Sequence, residues 1–249
     1  MWPFVSRATL GGSGVFVGFT DWHSHLLPGV DDGVRTLEES LETLRLYECA
    51  GVSEVWLTPH VMEDCPNGTA ALRERFSELL SAYEGSVALR LASENMLDAL
   101  FEERLESGDL LPLGGRGDHL LVETSFFNPP MGLDDLLRRV CSRGYRPVLA
   151  HPERYAYMGM RDYRRLRGLG ARFQLNLPSL AGFYGAAVRG KAEALLEAGM
   201  YDLAGTDTHS PDLLRRLLVS PVRKRAVREI VPEYRSRHSK YEALDRREI

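Results

Sequence analysis

Short apolar runs recur along this chain, each followed by a stretch of helical periodicity, and that alternation narrows the fold more than any other feature. The strand-like runs are Val15–Thr20, Glu54–Thr58, Val87–Ala92, His119–Val122, Pro147–Ala150, Arg172–Leu175 and Tyr201–Gly205. Between them, Thr36 and Glu39 form a capping box for a helix that ends before Gly51. Leu72, Phe76, Leu79, Leu80 and Tyr83 follow at helical spacing. Further helices are expected over Leu133–Ser142, Asp162–Leu169 and Val188–Ala198. Strands alternating with helices imply an α/β fold of parallel strands joined by helical crossovers. Seven such units suit a barrel or distorted barrel better than a small open sheet. With 249 residues, 44% of them hydrophobic, the chain suffices for one sizeable core, and we read 1–249 as a single domain.

The ends read differently. Residues 1–15 are expected to be a peripheral extension, and 221–249, dense in charge, a surface helix followed by a loose tail. Glycines interrupt the apolar start, so neither a signal peptide nor a membrane span is expected. Cys49, Cys65 and Cys141 are widely spaced without a CxxC pair, which argues against a disulfide framework and makes the cytoplasm the expected location. A net charge of -4 argues against a general nucleic-acid or membrane-surface binder.

The residues that follow the apolar runs carry the chemistry. After the first come Asp21, His23 and His25 (DWHSH); after the second, His60; after the third, Glu94; after the fourth, Glu123. The fifth ends in His151 (LAHPERY), the sixth in Asn176 and the seventh in Asp207 and His209 (GTDTH). In a parallel barrel the carboxyl ends of the strands meet on one face. Five of the seven histidines would therefore gather there, leaving out His119 and His238. Buried imidazoles and carboxylates in such number are unfavourable without a cation. Nitrogen and oxygen donors without sulfur suit Zn²⁺, Mn²⁺ or Fe²⁺. Alternate residues of an extended strand point the same way, so His23 and His25 can grip one ion. Singly, each piece has a plainer reading: HPER as a turn with a surface ion pair, Gly29–Gly33 (GVDDG) as an ordinary turn. The set is the signal.

DWHSHLLPGVDDG, LTPH, the glutamate after the third run, LAHPERY and GTDTH resemble the ordered motifs of the polymerase-and-histidinol-phosphatase (PHP) superfamily. More narrowly they resemble its bacterial tyrosine-phosphatase branch, the CpsB/YwqE type, linked to capsular and exopolysaccharide synthesis. The resemblance spans about Phe19 to Leu217. It implies a distorted seven-stranded, TIM-like (β/α)7 barrel with two or three divalent ions, Mn²⁺ foremost and Fe²⁺ or Zn²⁺ as alternatives. It assigns His23, His25, Glu94 and Asp207 to the first metal, with Glu94 bridging to a second completed by Glu123 and His151. Asp32, His60 and His209 would hold a third, with Asp21 orienting one of the histidines. Arg154 resembles the family's phosphate-binding arginine, and His209 or His60 would shift a proton. Arg215 or Arg216 is the nearest match to a second arginine past the last DxH, and Asn176 and Ser179 would line the rim or cap a helix. The loops Leu26–Gly33 and Val61–Ala70 would edge an open site. The implied activity is hydrolysis of phosphotyrosine on a protein, a bacterial tyrosine autokinase, by a hydroxide held between metals.

Other classes fare worse. No cysteine has arginine six positions on: Val55, Ala71 and Pro147 stand there, so a cysteine-dependent phosphatase is excluded. A metal-dependent amidohydrolase wants a strand-end lysine, and Lys191, Lys224 and Lys240 lie elsewhere. A PHP nuclease wants a basic approach surface. The ligand set does not separate the tyrosine branch from a histidinol phosphatase or another small-molecule phosphoesterase; HPERY and GVDDG favour the former. A catalytically silent scaffold would not need every ligand position. The terminal segments leave room for a homo-oligomer.

Overall fold

Helix α1 (Leu37–Ala50) begins and ends where its sequence dictates. The Thr36 hydroxyl accepts from the Glu39 amide, while the Glu39 carboxylate reaches one residue further back, to the Arg35 amide. Gly51, at φ 90°, closes the helix, a left-handed geometry that a residue with a Cβ resists. The same logic of caps and apolar runs organises the rest of a computed structural model that describes residues 7–230.

After β1 (Arg7–Thr9) come β2 (Thr20–Ser24), α1, β3 (Glu54–Leu57), β4 (His60–Val61) and α2 (Thr69–Ala82). Then follow β5 (Ala88–Leu91), β6 (Glu94–Met96), α3 (Ala99–Ser107), β7 (His119–Glu123), α4 (Leu133–Ser142) and β8 (Arg146–Ala150). The chain continues through α5 (Met160–Gly168), β9 (Arg172–Asn176), α6 (Leu177–Ala181), α7 (Gly185–Glu197), β10 (Leu203–Gly205), α8 (Pro211–Val219) and β11 (Pro221–Arg223). All pairings except β1–β11 are parallel. They form a six-stranded sheet, β10-β9-β8-β7-β6-β4, and a three-stranded one, β2-β3-β5. Where seven strands are expected, β2 to β10 number nine, because β4 and β6 follow the second and third runs after breaks at Thr58-Pro59 and Ala92-Ser93. Proline brings no amide donor to a ladder, which accounts for the first break.

The two sheets also meet at their other end. Ser24 bridges Thr208, the His25 amide donates to Thr208 O (2.9 Å), and the Asp207 amide donates to His23 O (2.8 Å). The result is a strongly curled parallel sheet. Its concave side gathers Trp22, Trp56, Leu121, Val148 and Leu203, with the two indoles stacked 5.5 Å apart. The larger core, including Leu44, Tyr47, Leu149, Phe173 and Leu195, lies between sheet and helices.

Three expectations are corrected. The first strand is Thr20–Ser24 rather than Val15–Thr20: Gly14 and Gly18 take positive φ, and 15–18 form turns. Residues 7–15 are not wholly peripheral, since Leu10 and Val15 are buried and β1 pairs with β11. Pro221 therefore opens a strand, with helix from 224 to 230; 231–249, expected as tail, lie outside the described residues. Among the described residues no helix is long and apolar enough to cross a membrane.

Tyr47 ties α1 to the sheet. Its hydroxyl donates to Asp21 Oδ2 (2.6 Å), where Thr206 Oγ1 also donates (2.6 Å). The buried Asp21 carboxyl, whose pKa burial pushes up against these hydrogen bonds, further accepts from the amides of His23 and Thr206. Removing the phenol hydroxyl leaves that oxygen short of a donor. Tyr47→Phe is expected to destabilise the fold by about 1–3 kcal/mol, measured as a lower urea midpoint with unchanged slope.

Candidate metal centre

Local backbone devices deliver the donor side chains. The β2–β3 register slips between Asp21 and Ser24, the mark of a bulge, and this re-aims consecutive residues. Trp22 joins the concave cluster while its neighbour His23 reaches Gln174 and Glu94. In the β4–β6 register His60 stands opposite Glu94, and in β6–β7 Met96 stands opposite Glu123. His151 and Asp207, at φ 34° and 51°, are the two non-glycine residues with positive φ among those described. Such backbone costs about 1–3 kcal/mol per residue and persists where surroundings impose it. Two glycines admit the histidines: a Cβ at Gly33 would collide with the backbone of His25, and one at Gly205 would sit 2.5 Å from His23 Cβ.

The nine expected ligand residues come together. His23 Nε2 lies 3.1 Å from both His25 Nε2 and Glu94 Oε2. Glu94 Oε2 is also 3.2 Å from His60 Nδ1, while its Oε1 is 3.0 Å from His151 Nε2. Glu123 Oε1 stands 3.1 Å from His60 Nδ1. Asp207 Oδ1 faces His23 and His25 at 3.5 and 3.4 Å, and Asp32 Oδ1 faces His60 and His209 at 3.5 and 3.4 Å. Four overlapping groups have donor atoms mutually within 4.8 Å: His25-Asp32-His60-His209, His23-His25-Asp207, His23-Glu94-His151 and His60-Glu94-Glu123. Burial is graded, from Glu94 and the two HxH imidazoles, fully enclosed, to His209 and Asp32 with side chains 28% and 72% exposed.

The donor chemistry demands a cation. His23 Nδ1 donates to Gln174 Oε1 (3.1 Å), an oxygen whose identity is fixed because Gln174 Nε2 donates to Leu175 O. His25 Nδ1 donates to Asp31 Oδ2 (2.8 Å). Both rings are thereby held as tautomers with Nε2 lone pairs aimed at each other and at a carboxylate. A proton or a metal ion must lie among them. His60 Nδ1 and Glu123 Oε1, buried and 3.1 Å apart, are likewise not aligned for a good hydrogen bond with each other or with any other group, a state native proteins avoid unless an ion or water completes it. Burial opposes charge on His23, yet Glu94 and Asp207 outweigh it and the pKa is pushed up to about 9. Glu94 and Asp207 are driven down, against burial, mainly by His23.

The supporting partners differ in part from expectation. Asp21 orients no imidazole; it secures the His23 amide and Thr206, and Asp31 holds the His25 ring instead. Asp31 and Gln174 were not expected from the sequence. Asp31 stands in GVDDG beside Asp32, and the alternative of a plain turn masked it; Gln174 carries no metal-ligand signature. Ser179 is buried inside α6 beside the Glu153 carboxyl rather than at the rim. Asn176 is buried too, its Nδ2 donating to Asp207 Oδ2 (3.0 Å). Glu153 does not pair with Arg154: it accepts from the Asn176 amide and the Tyr201 hydroxyl. Arg154 Nη1 instead donates to Asp207 Oδ2 (2.9 Å). Arg215 is committed to Glu42 and Asp212, and Arg216 lies over Phe183. The two rim loops are stapled by Asn67, whose Nδ2 donates to Val30 O and His60 O.

Residues 19–231 match the sequence profile of the family described as "Capsular polysaccharide synthesis, CpsB/CapC". The chain belongs to this family. It is 29% identical over 201 residues to the tyrosine-protein phosphatase YwqE of Bacillus subtilis, covering 76% of this chain and 77% of that one. Identity to the tyrosine-protein phosphatase CpsB of Streptococcus pneumoniae is 26% over 211 residues, 77% and 83% of the two chains. Among solved structures, those of YwqE and CpsB, described as unique metal-dependent tyrosine phosphatases, share the fold at TM-score 0.74 and 24% identity, covering 91% of this chain and 94% of that one.

Two consequences are measurable. Gly205→Ala is expected to displace His23 and lower metal occupancy, read by elemental analysis after dialysis, while Gly190→Ala, where nothing crowds a Cβ, leaves it unchanged. The His23 pKa of about 9 against an ordinary 6.5 sets the pH response. In the metal-free protein this protonation stabilises the fold fully below pH about 6.5 and is lost as pH rises through about 9. Metal must displace the same proton. Urea midpoints of the chelated protein are therefore expected to fall across that window, while metal affinity rises.

Proposed function

We propose that this chain is a metal-dependent protein-tyrosine phosphatase acting on a phosphotyrosine protein, a bacterial tyrosine autokinase, in the control of capsular or exopolysaccharide synthesis. The observation that carries this reading is the convergence of His23 Nε2, His25 Nε2 and Glu94 Oε2, with both imidazole Nδ1 atoms already spent as donors. Family membership supplies the reaction class. We read the curled sheet as a distorted seven-stranded barrel in which β3 with β4, and β5 with β6, are each one interrupted strand; the Ser24–Thr208 bridge supports that reading.

Three divalent ions, Mn²⁺ foremost, fit the donors. His23, His25, Asp207 and Glu94 would hold the first; Glu94, Glu123 and His151, the last 3.0 Å from Glu94 and 3.8 Å from Glu123, the second; Asp32, His60 and His209 the third, with His25 at its edge and His60 also beside Glu94 and Glu123. Bound there, such ions supply Lewis-acid stabilisation of phosphoryl charge and activation of a water nucleophile. The chain's own residues do the rest. Asp207 divides its work: Oδ1 faces the imidazoles while Oδ2 fixes Arg154 and Asn176. Arg154 thereby presents a fixed positive charge beside the donor cluster, where equatorial phosphoryl oxygens gain charge. His209 Nδ1 donates to Asp207 O (2.8 Å), which leaves Nε2 facing Asp32 Oδ1 (3.4 Å) at the mouth, where the two would share a cation. A tyrosine phenolate, with an ordinary pKa of about 10, leaves readily and needs little general-acid help. The exposure of Asp32 and His209 suits a site that a peptide must approach.

The test is hydrolysis of a phosphotyrosyl peptide and of histidinol phosphate by Mn²⁺-loaded protein, with chelation and His151→Ala alongside. The peptide is expected to be preferred, chelation to abolish turnover, and His151→Ala to lower it by at least about 100-fold, the upper end of what even outer-shell changes cost. Unchanged turnover in His151→Ala would defeat the site assignment; preference for histidinol phosphate would move the activity to the small-molecule branch.

A further inference from the structure

Arg154 ends the short turn Pro152–Arg154 that follows His151. Its guanidinium carbon lies 4.2 Å from the centroid of the Phe126 ring and 4.3 Å from that of Tyr184. The rings come from separate segments, Phe126 three residues beyond Glu123 and Tyr184 immediately before α7. Both segments are tethered to the site. The Ala156 amide donates to Phe126 O (2.7 Å), and the Tyr184 hydroxyl stands 3.5 Å from Asn176 Nδ2, which also donates to Asp207.

An arginine side chain is long and has many rotamers, and a hydrogen bond at one corner fixes a point rather than a plane. Of its five N–H donors, only Nη1 makes a hydrogen bond among the described residues, to Asp207 Oδ2. The orientation of the remaining N–H edge therefore depends on what the guanidinium plane rests against. The Phe126 and Tyr184 rings are that support: π faces attract the cation without consuming any N–H donor. Hydrogen-bonding neighbours could hold the side chain equally firmly but would occupy donors that a phosphoryl group needs. Both rings are only partly buried; Phe126 also packs on His151 and Tyr155, with ring centroids 5.7 and 6.0 Å away, so bound metal is a readout that separates loss of that packing from loss of the guanidinium's support.

We propose that Phe126 and Tyr184 are positioning residues that hold the Arg154 guanidinium in place by cation–π contact, leaving its unbonded N–H edge for the phosphoryl oxygens of the substrate. The proposal rests on the reading of Arg154 as the phosphate-binding residue, and the experiment separates the two. Phe126→Leu, Tyr184→Leu, Arg154→Ala and the double variants with Arg154→Ala are assayed with Mn²⁺-loaded protein. The readouts are kcat and KM for a phosphotyrosyl peptide, inhibition by inorganic phosphate, and bound metal. Each Leu variant is expected to raise KM and the phosphate inhibition constant about tenfold, the scale of a desolvated cation–π contact, with bound metal unchanged and kcat less affected. Phe126→Tyr and Tyr184→Phe, which keep a ring, are expected to restore most of the loss. In the Arg154→Ala background the Leu substitutions should add nothing, because the rings act through that guanidinium. If Arg154→Ala weakens phosphate inhibition but both Leu variants match the parent, or lose as much again in its absence, the positioning role is wrong. If Arg154→Ala leaves phosphate inhibition unchanged, the reading of Arg154 itself fails. The rings sit on separate segments, so should one Leu variant not fold, the other carries the test.

Discussion

The structure is organised around mutual repulsion that only positive charge can relieve. Two imidazole lone pairs and a carboxylate oxygen meet within 3.4 Å of one another in a fully buried pocket, each ring locked in its tautomer by Gln174 or Asp31. Every nearby departure from ordinary backbone serves that convergence. The bulge in β2 turns His23 inward beside Trp22, positive φ at His151 and Asp207 points those side chains at the cluster, and Gly33 and Gly205 leave space for the two histidines. None of these devices improves folding on its own account. Their cost is recovered when a cation binds, because binding to the folded state alone stabilises it.

Carboxylate oxygens in the site have separate tasks. Glu94 turns one oxygen toward His23, His25 and His60 and the other toward His151, so one side chain spans the deep groups. Asp207 reserves one oxygen for the imidazoles and gives the other to Arg154 and Asn176. Arg154 and the imidazole cluster are thus joined through a single carboxylate. Glu153 braces the same region from beneath, holding the end of β9 through the Asn176 amide.

Much of this was legible because the signals were local. The caps of α1, the full length of α4 and most strand centres follow from periodicity and turn residues. The donor set followed because histidines and carboxylates occur where apolar runs end. What escaped was set by tertiary contact. Gln174 is an ordinary polar residue until β9 carries it to His23, and Asp21, placed by its motif to orient an imidazole, is instead claimed by Tyr47 and Thr206, distant in sequence. The first strand was misplaced because Val15–Gly18 is apolar enough for a strand, yet two left-handed glycines turn it. Helix α3 is short and only Phe101, Arg104 and Leu105 are buried in it, a weak periodic signal despite the Asp98 cap, whose carboxylate accepts from the Phe101 amide.

The gradient of burial across the donors connects this chemistry to substrate size. The deepest donors are closed off, so the charge they carry acts in a poorly screened setting. The outermost pair, His209 and Asp32, is exposed to 28% and 72%, and the rim loops are fastened to each other by Asn67. A small phosphomonoester would gain from enclosure that excludes water. A phosphotyrosine displayed on a protein needs the opposite at the mouth: room for flanking chain, with only the phosphoryl group reaching the buried donors. The combination of an enclosed floor and an exposed rim therefore favours a macromolecular substrate on physical grounds independent of family likeness.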